Sequence, residues 1–140
     1  MSYGTFTEGS EPELVLLATK RMTWRLHAPV TWHDAKWGVV TAPEGFVTDL
    51  ASIPRMFPYR MHQGLIQPCA IIHDWIYSGA ADPDDATNYW QFTRWIADRI
   101  FFRAMMQRGV GVWRAHLYYW AVRGFGWRSW RPNTGQKTSR

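Results

Sequence analysis

The stretch TDLASIPR, residues 48–55, separates two parts of the sequence that have different patterns. It is predicted to be a loop, because it contains Pro54 and two more prolines follow at positions 58 and 68. Before it, short β-prone runs alternate with polar turns, and after it apolar residues recur at helical spacing. This division predicts an α+β fold, with a small antiparallel N-terminal β-sheet packed with three C-terminal helices.

The strands expected before the loop are short runs of apolar and β-branched residues with polar turns between them. They are Glu13–Ala18, Met22–His27, Val30–His33, Trp37–Thr41 and Phe46–Val47.

The three helices expected after the loop cover about Gln67–Ser78, Asp82–Arg108 and Val112–Arg123. Asp82 is a suitable N-cap and Pro83 a suitable first helical residue. The second helix would be unusually long, so a break near Asn88–Thr93 is expected. Gly109 is expected to stop the second helix and Gly124 the third.

Length and composition set limits on the fold. The 140 residues fit a single α+β domain over 1–130, followed by a polar tail over 131–140. A hydrophobic content of 46% excludes disorder for the body of the chain. No apolar run approaches the roughly 20 residues of a membrane span. The single cysteine, Cys69, excludes an internal disulfide and a Cys-rich zinc site, and we expect it in the core.

Charge is distributed unevenly along the chain. Residues 1–98 hold seven Lys and Arg residues against all eleven Asp and Glu residues, a net charge of −4. Residues 99–140 hold nine basic residues and no acidic one, a net charge of +9. This asymmetry indicates a polyanion or an acidic surface as partner, although arginines on solvated helix faces would explain it too.

Asp98 is the most informative polar residue of the second helix. The helical wheel places it on the apolar side, beside Phe101, Phe102 and Met105. A carboxylate in such surroundings needs a partner. We expect this partner to be Arg94, one turn earlier, or a histidine or metal ion from another element.

His73 and Asp74 lie at the edges of the apolar face of the first helix, and Asp49 with Ser52 lies in the loop. A site formed by Asp49, His73, Asp74 and Asp98 would suit Mg²⁺, Mn²⁺ or Ca²⁺ and could activate a water for hydrolysis. Without metal, a His–Asp pair could act as general acid and base. The third interpretation, which we favour because the spacing matches no ligand motif, is a structural polar cluster that fixes helix register.

The C-terminal part interleaves tryptophan with arginine. Such a surface could stack nucleic-acid bases, anchor a protein interface, or result from core packing by Tyr118, Trp120 and Val122 with arginines outside. The interface residues expected on the second interpretation are Trp113, Arg114, Trp127, Arg128, Trp130 and Arg131.

Several motifs, taken together, resemble an uncharacterised family of tailed bacteriophages and prophages, domain-of-unknown-function family 1353. The resemblance extends from about Trp37 to Gly126. It implies a phage-encoded protein, often from regions that code for virion or tail functions. The family's recurring polar positions fall on Asp49, Ser52, His73, Asp74, Arg94 and Asp98. The motifs are GFVTDLASIPR at 45–55, HDWIY at 73–77, Arg94, AD at 97–98, Phe101, AM at 104–105, GV at 109–110, Tyr119, AVR at 121–123 and FG at 125–126.

From these observations we expect a non-enzymatic virion component of the tail, baseplate or neck, made in the host cytoplasm. It would bind other phage structural proteins in a symmetric assembly, with no cofactor and no membrane span. The first alternative is a metal-dependent or His/Asp hydrolase, acting on the bacterial cell wall. The second is nucleic-acid binding through residues 99–140, with an affinity that falls steeply with salt.

Overall fold

A computed structural model of the chain describes residues 2–7, 14–18, 23–48, 63–79, 93–128 and 130. Within them, strands precede helices, which confirms the α+β class. The strands are β1 Gly4–Phe6, β2 Leu14–Ala18, β3 Thr23–Leu26, β4 Val30–Asp34, β5 Gly38–Ala42 and β6 Val47–Thr48. The helices are α1 Gln63–Ser78, α2 Arg94–Arg108 and α3 Val112–Phe125, followed by one 3₁₀ turn, Gly126–Arg128.

The strands form two antiparallel three-stranded sheets, whereas the sequence indicated one. The strand orders are β1-β4-β5 and β2-β3-β6. Strand β3 belongs to the second sheet because Leu26, at its end, exchanges backbone hydrogen bonds with Gly45 and Phe46, at 2.7 and 2.8 Å, instead of pairing with β4. Strand β1 was not predicted, since Gly4–Phe6 is too short to show an alternating pattern.

Strand β4 has the alternation expected of a half-buried strand. Val30, Trp32 and Asp34 are buried on one side. Asp34 is the polar member of this set, and its carboxylate accepts hydrogen bonds from Trp32 Nε1 and Arg103 Nε, both at 3.1 Å. The Arg103 contact attaches the sheet to α2. The buried carboxylate of Asp34 thus obtains a hydrogen-bond partner from the helix layer.

Helix α1 begins at Gln63, earlier than the predicted Gln67, and contains Pro68. A proline inside a helix removes one backbone hydrogen bond. Ile66 and Cys69 are fully buried on this first part of the helix. Burial of their apolar surface offsets the missing hydrogen bond, which explains why the helix continues across the proline.

Helix α2 begins at Arg94, and the Thr93 side chain accepts a hydrogen bond from Ile96 N at 3.2 Å as its N-cap. The start predicted at Asp82 and Pro83 lies outside the described residues. Gly109, with φ 89°, ends α2 in the left-handed conformation, as predicted. Only residues 109–111 connect α2 to α3.

Helix α3 passes through Gly124, the residue expected to end it, and reaches Phe125. Its last carbonyls receive hydrogen bonds from an arginine of α2, and these contacts compensate for the weak helix propensity of glycine. The tail predicted at 131–140 lies outside the described residues. None of the helices described here is both long and apolar enough to cross a bilayer.

Candidate functional site

The centre of the helical layer contains a buried histidine–carboxylate pair. His73 of α1 and Asp98 of α2 face each other, with 2.7 Å between Nε2 and Oδ1. Both side chains have no exposed surface. The partners expected for Asp98 were Arg94, or a histidine or metal ion from another element, and the structure places a histidine beside it.

Asp98 also binds two residues that were not considered for this role. The Tyr77 hydroxyl of α1 donates to Oδ1 at 2.5 Å, and Arg123 Nη1 of α3 donates to Oδ2 at 2.9 Å. One carboxylate thus connects all three helices. Arg123 lies 25 residues after Asp98 in the chain, so helical periodicity within α2 could not reveal the contact.

Arg94 has a different role from the one expected. Its Nη2 donates to the backbone carbonyls of Val122, at 3.0 Å, and Arg123. Carbonyls in the last turn of a helix lack intrahelical partners, and a cation there also compensates the helix dipole. Arg94 and Asp98, one turn apart on α2, therefore hold the same end of α3, one through its backbone and the other through a side chain.

The electrostatics favour an ionised pair. Burial alone would lower the pKa of His73, but the carboxylates of Asp74 and Asp98 outweigh it and raise the pKa above the ordinary 6.5. Burial alone would raise the pKa of Asp98, but His73, then Tyr77 and Arg123, hold it below the ordinary 3.8. Burial and the Asp98 charge raise the pKa of Tyr77, so its hydroxyl stays a donor.

The other ring nitrogen of His73 faces Asp74. His73 Nδ1 lies 3.8 Å from Asp74 Oδ1, which is too long for a hydrogen bond, and it has no hydrogen-bond partner among the described residues. Asp74 Oδ2 accepts a hydrogen bond from the Thr48 hydroxyl of β6 at 2.5 Å. This contact links the polar cluster to the second sheet.

The structure brings together His73, Asp74 and Asp98 from the predicted set. Asp49 and Ser52 lie outside the described residues; Asp49 directly follows Thr48 in the chain. In the ranges that the structure describes, no group of three or more His, Cys, Asp or Glu side chains is arranged to hold a metal ion. A sealed ion pair with neutralising partners is typical of a structural cluster, whereas catalysis requires access for substrate.

The second feature is the exposed side of α3. Trp113, Trp120 and Trp127 are 64%, 65% and 60% exposed. They are spaced by seven residues. Trp113 and Trp120 lie on α3, where this spacing points two side chains within about 20° of each other, and Trp127 lies in the 3₁₀ turn that follows. We call these three residues the tryptophan stripe. The core-packing interpretation of this segment placed Tyr118, Trp120 and Val122 inside. Tyr118 and Val122 are buried, but Trp120 is exposed, so the interpretation was wrong for Trp120.

The remaining predicted interface residues are placed differently. Arg114 lies over the Trp113 ring, with 5.1 Å between Cζ and the centroid. Trp130 is only partly exposed and packs edge-on against Tyr77, so it covers the polar cluster and not the stripe. Arg131 and the Arg128 side chain lie outside the described residues.

The sequence analysis did not predict two residues of the surface. Trp95 of α2 is 48% exposed, and Arg99, one turn later, lies over its ring at 5.9 Å from the centroid. The four-residue spacing of Trp95 and Arg99 is the signal that could have revealed the contact, because such residues are neighbours on a helix.

A family model described as "Protein of unknown function (DUF1353)" matches residues 24–122. The chain belongs to this family. The DUF1353 match begins earlier than the resemblance in the sequence, at Trp24 instead of Trp37, so it adds strand β4 and most of β3. It ends at Val122, so it includes all the helical residues of the polar cluster except Arg123. No curated protein and no solved structure gives a significant match.

Proposed function

We propose that this DUF1353 protein is a non-enzymatic, virion-associated structural protein of a tailed phage. It binds neighbouring phage structural proteins in the tail, baseplate or neck. The observation that carries the proposal is the tryptophan stripe, with Trp113 and Trp120 on α3 and Trp127 in the 3₁₀ turn that follows it.

The physical basis is the unfavourable hydration of this face. Large contiguous apolar surfaces are rare on monomeric proteins and indicate interaction sites. Tryptophan and arginine are also the residues most enriched at protein-interface hot spots, because a rigid indole buries much surface at little entropic cost. A partner that covers the stripe would bury three indoles at once.

The polar cluster supports the same role. Asp98, Arg94 and Arg123 fix the C-terminal end of α3, from which Trp120 and Trp127 project. A preorganised face loses less conformational entropy when a partner binds. The cluster therefore serves the interface as a support, without chemistry of its own.

Hydrolysis is the second candidate, and one observation favours it. His73 Nδ1 has no hydrogen-bond partner among the described residues, while Asp98 orients the ring through Nε2, as in a His–Asp general base. The complete burial of His73 is the argument against this candidate. Nucleic-acid binding would use the same tryptophans and arginines, and it is an outcome of the tests below.

Quantitative mass spectrometry of purified particles tests the proposal. The particles come from the phage or induced prophage that encodes this chain, purified through a density gradient and treated with nuclease. We expect the chain at a fixed low copy number, in a simple ratio to the known tail or neck proteins. A non-structural protein of the same phage is the control for contamination.

Absence of the chain from gradient-purified particles, at a sensitivity that detects a single copy, would refute the virion role. An amount that varies from one preparation to the next would refute it too. In either case the hydrolase candidate would be tested next, with Asp98→Asn and a peptidoglycan substrate.

A further inference from the structure

An aromatic surface continues from the tryptophan stripe across to α2. The Trp120 ring packs edge-on against Tyr119 at 5.2 Å. The Arg99 guanidinium lies over the rings of Tyr119, Phe102 and Trp95, at 5.8, 5.6 and 5.9 Å from their centroids. Three aromatic rings therefore lie around Arg99, and one of them, Tyr119, adjoins Trp120, which is 65% exposed. We call these five residues the α2–α3 aromatic face.

The charges around this face select the type of partner. No acidic residue occurs between Arg99 and the C-terminus. Arg103 and Arg123 are ion-paired with Asp34 and Asp98, but the contacts of Arg99 are with aromatic rings. A second copy that presented the same face would bring like charges together, which is unfavourable.

We propose that the α2–α3 aromatic face binds an acidic segment of another protein, with Arg99 as the residue that receives its carboxylate. This deepens the proposed function and rests on it. Aromatic rings on several sides hold the guanidinium in place and exclude water from it. A carboxylate can then accept two parallel hydrogen bonds from one edge of the guanidinium, and the lower local dielectric strengthens the pairing. Trp120 supplies the adjoining apolar contact.

Matched substitutions at Trp120 test the sign of the partner's charge. Trp120→Glu and Trp120→Lys remove the same aromatic surface but introduce opposite charges, and residue 120 is 65% exposed, so neither disturbs the core. Each variant is expressed in cells that also produce wild-type phage. The ratio of variant to wild-type peptide is measured in the particles and in the soluble cell fraction, so that expression and folding cancel.

We expect the incorporation of Trp120→Glu into particles to be roughly tenfold or more lower than that of the wild type. The incorporation of Trp120→Lys should be at least roughly threefold higher than that of the Glu variant. Equal incorporation of both variants and wild type would refute docking at this face. Incorporation of the Glu variant equal to or above that of the Lys variant would refute an acidic partner.

The role of Arg99 is tested by Arg99→Gln, with Arg25→Gln as control. Arg25 is exposed on strand β3 and its replacement removes the same charge away from the face. Only Arg99→Gln should reduce incorporation. If Arg99→Gln does not accumulate in the soluble fraction, the Trp120 pair still decides the question. Wild-type incorporation of Arg99→Gln would overturn its role as the anchor.

The class of partner is identified by a photo-crosslinking amino acid at position 120, activated in intact particles. A crosslink to a phage protein segment of net negative charge supports the inference. A crosslink to nucleic acid, to lipid, to a second copy of this chain or to a basic segment would overturn it and leave the virion role intact. Absence of wild-type chain from particles would refute the proposed function itself, and this inference with it.

Discussion

His73 Nε2 and Asp98 Oδ1 lie 2.7 Å apart, with both side chains sealed from solvent. The two residues come from different helices, and Asp98 also binds Tyr77 and Arg123. Removal of one member of a buried ion pair leaves the other charge uncompensated, which is far more costly than the pair itself is favourable. The pair therefore makes the packing of the three helices depend on a single carboxylate.

Asp98→Asn should destabilise the protein strongly. The side chain keeps its shape but loses the charge that neutralises His73 and Arg123, so we expect the free energy of unfolding to fall by about 3–5 kcal/mol. Denaturant unfolding followed by circular dichroism measures this change. Glu44→Gln, at an exposed turn, is the control and should be near neutral. An equal effect of both substitutions would contradict the assigned role of Asp98.

The stability contributed by His73 should depend on pH. Folding raises the pKa of His73, so the folded protein holds this proton more tightly than the unfolded chain. This contribution is fully present below pH 6.5 and is lost as the pH rises through the folded-state pKa. The stability advantage of the wild type over His73→Gln should therefore decrease above pH 6.5. Unfolding curves from about pH 6 to 9 measure it, and an advantage that is constant or grows over this range would contradict the ionised pair.

Gly126→Ala should destabilise the protein through a steric clash. An added Cβ would lie 2.8 Å from the Tyr77 hydroxyl, which is fixed by its hydrogen bond to Asp98. The backbone of Gly126 is right-handed, with φ −69°, so only the clash decides the outcome. We expect a loss of about 1–3 kcal/mol, measured by thermal or denaturant unfolding.

Gly124→Ala is the matched control for this clash. It lies two residues earlier, in α3, and among the described residues no atom beyond its neighbours and the helix's own backbone lies within 4 Å of an added Cβ. Alanine should stabilise this helical position by about 0.5–1 kcal/mol. Destabilisation by both substitutions to the same extent would mean that Tyr77 does not hold the end of α3 as described.

Cys69 should be unreactive in the folded protein. Burial raises the pKa of its thiol, and the nearby charge of Arg108 offsets this effect only in part. Because the thiolate is the reactive form, we expect an aromatic disulfide reagent to react more than roughly a thousandfold slower than with the unfolded chain. Stopped-flow absorbance in buffer and in denaturant gives the two rates. Comparable rates would place Cys69 outside the core.

The helical wheel was informative for Asp98 because a carboxylate on an apolar face must find a partner, and His73 supplied it. Local pattern also predicted α3, strand β5 and the end of α2 at Gly109, since each depends on neighbouring residues. It could not predict that Arg123 would bind Asp98, or that Arg94 would bind α3 carbonyls, because these contacts join distant parts of the chain. The division into two sheets depends on tertiary pairing in the same way.

The most direct test of the virion role is hydroxyl-radical footprinting of the chain, free and within purified particles. Oxidation at Trp113, Trp120 and Trp127 is compared with oxidation at His27, which is exposed on the β3–β4 turn. We expect the three tryptophans to be protected roughly fivefold or more in particles while His27 changes little, because a docked partner excludes water from the interface core. Tryptophans that are oxidised equally in both states would contradict the account.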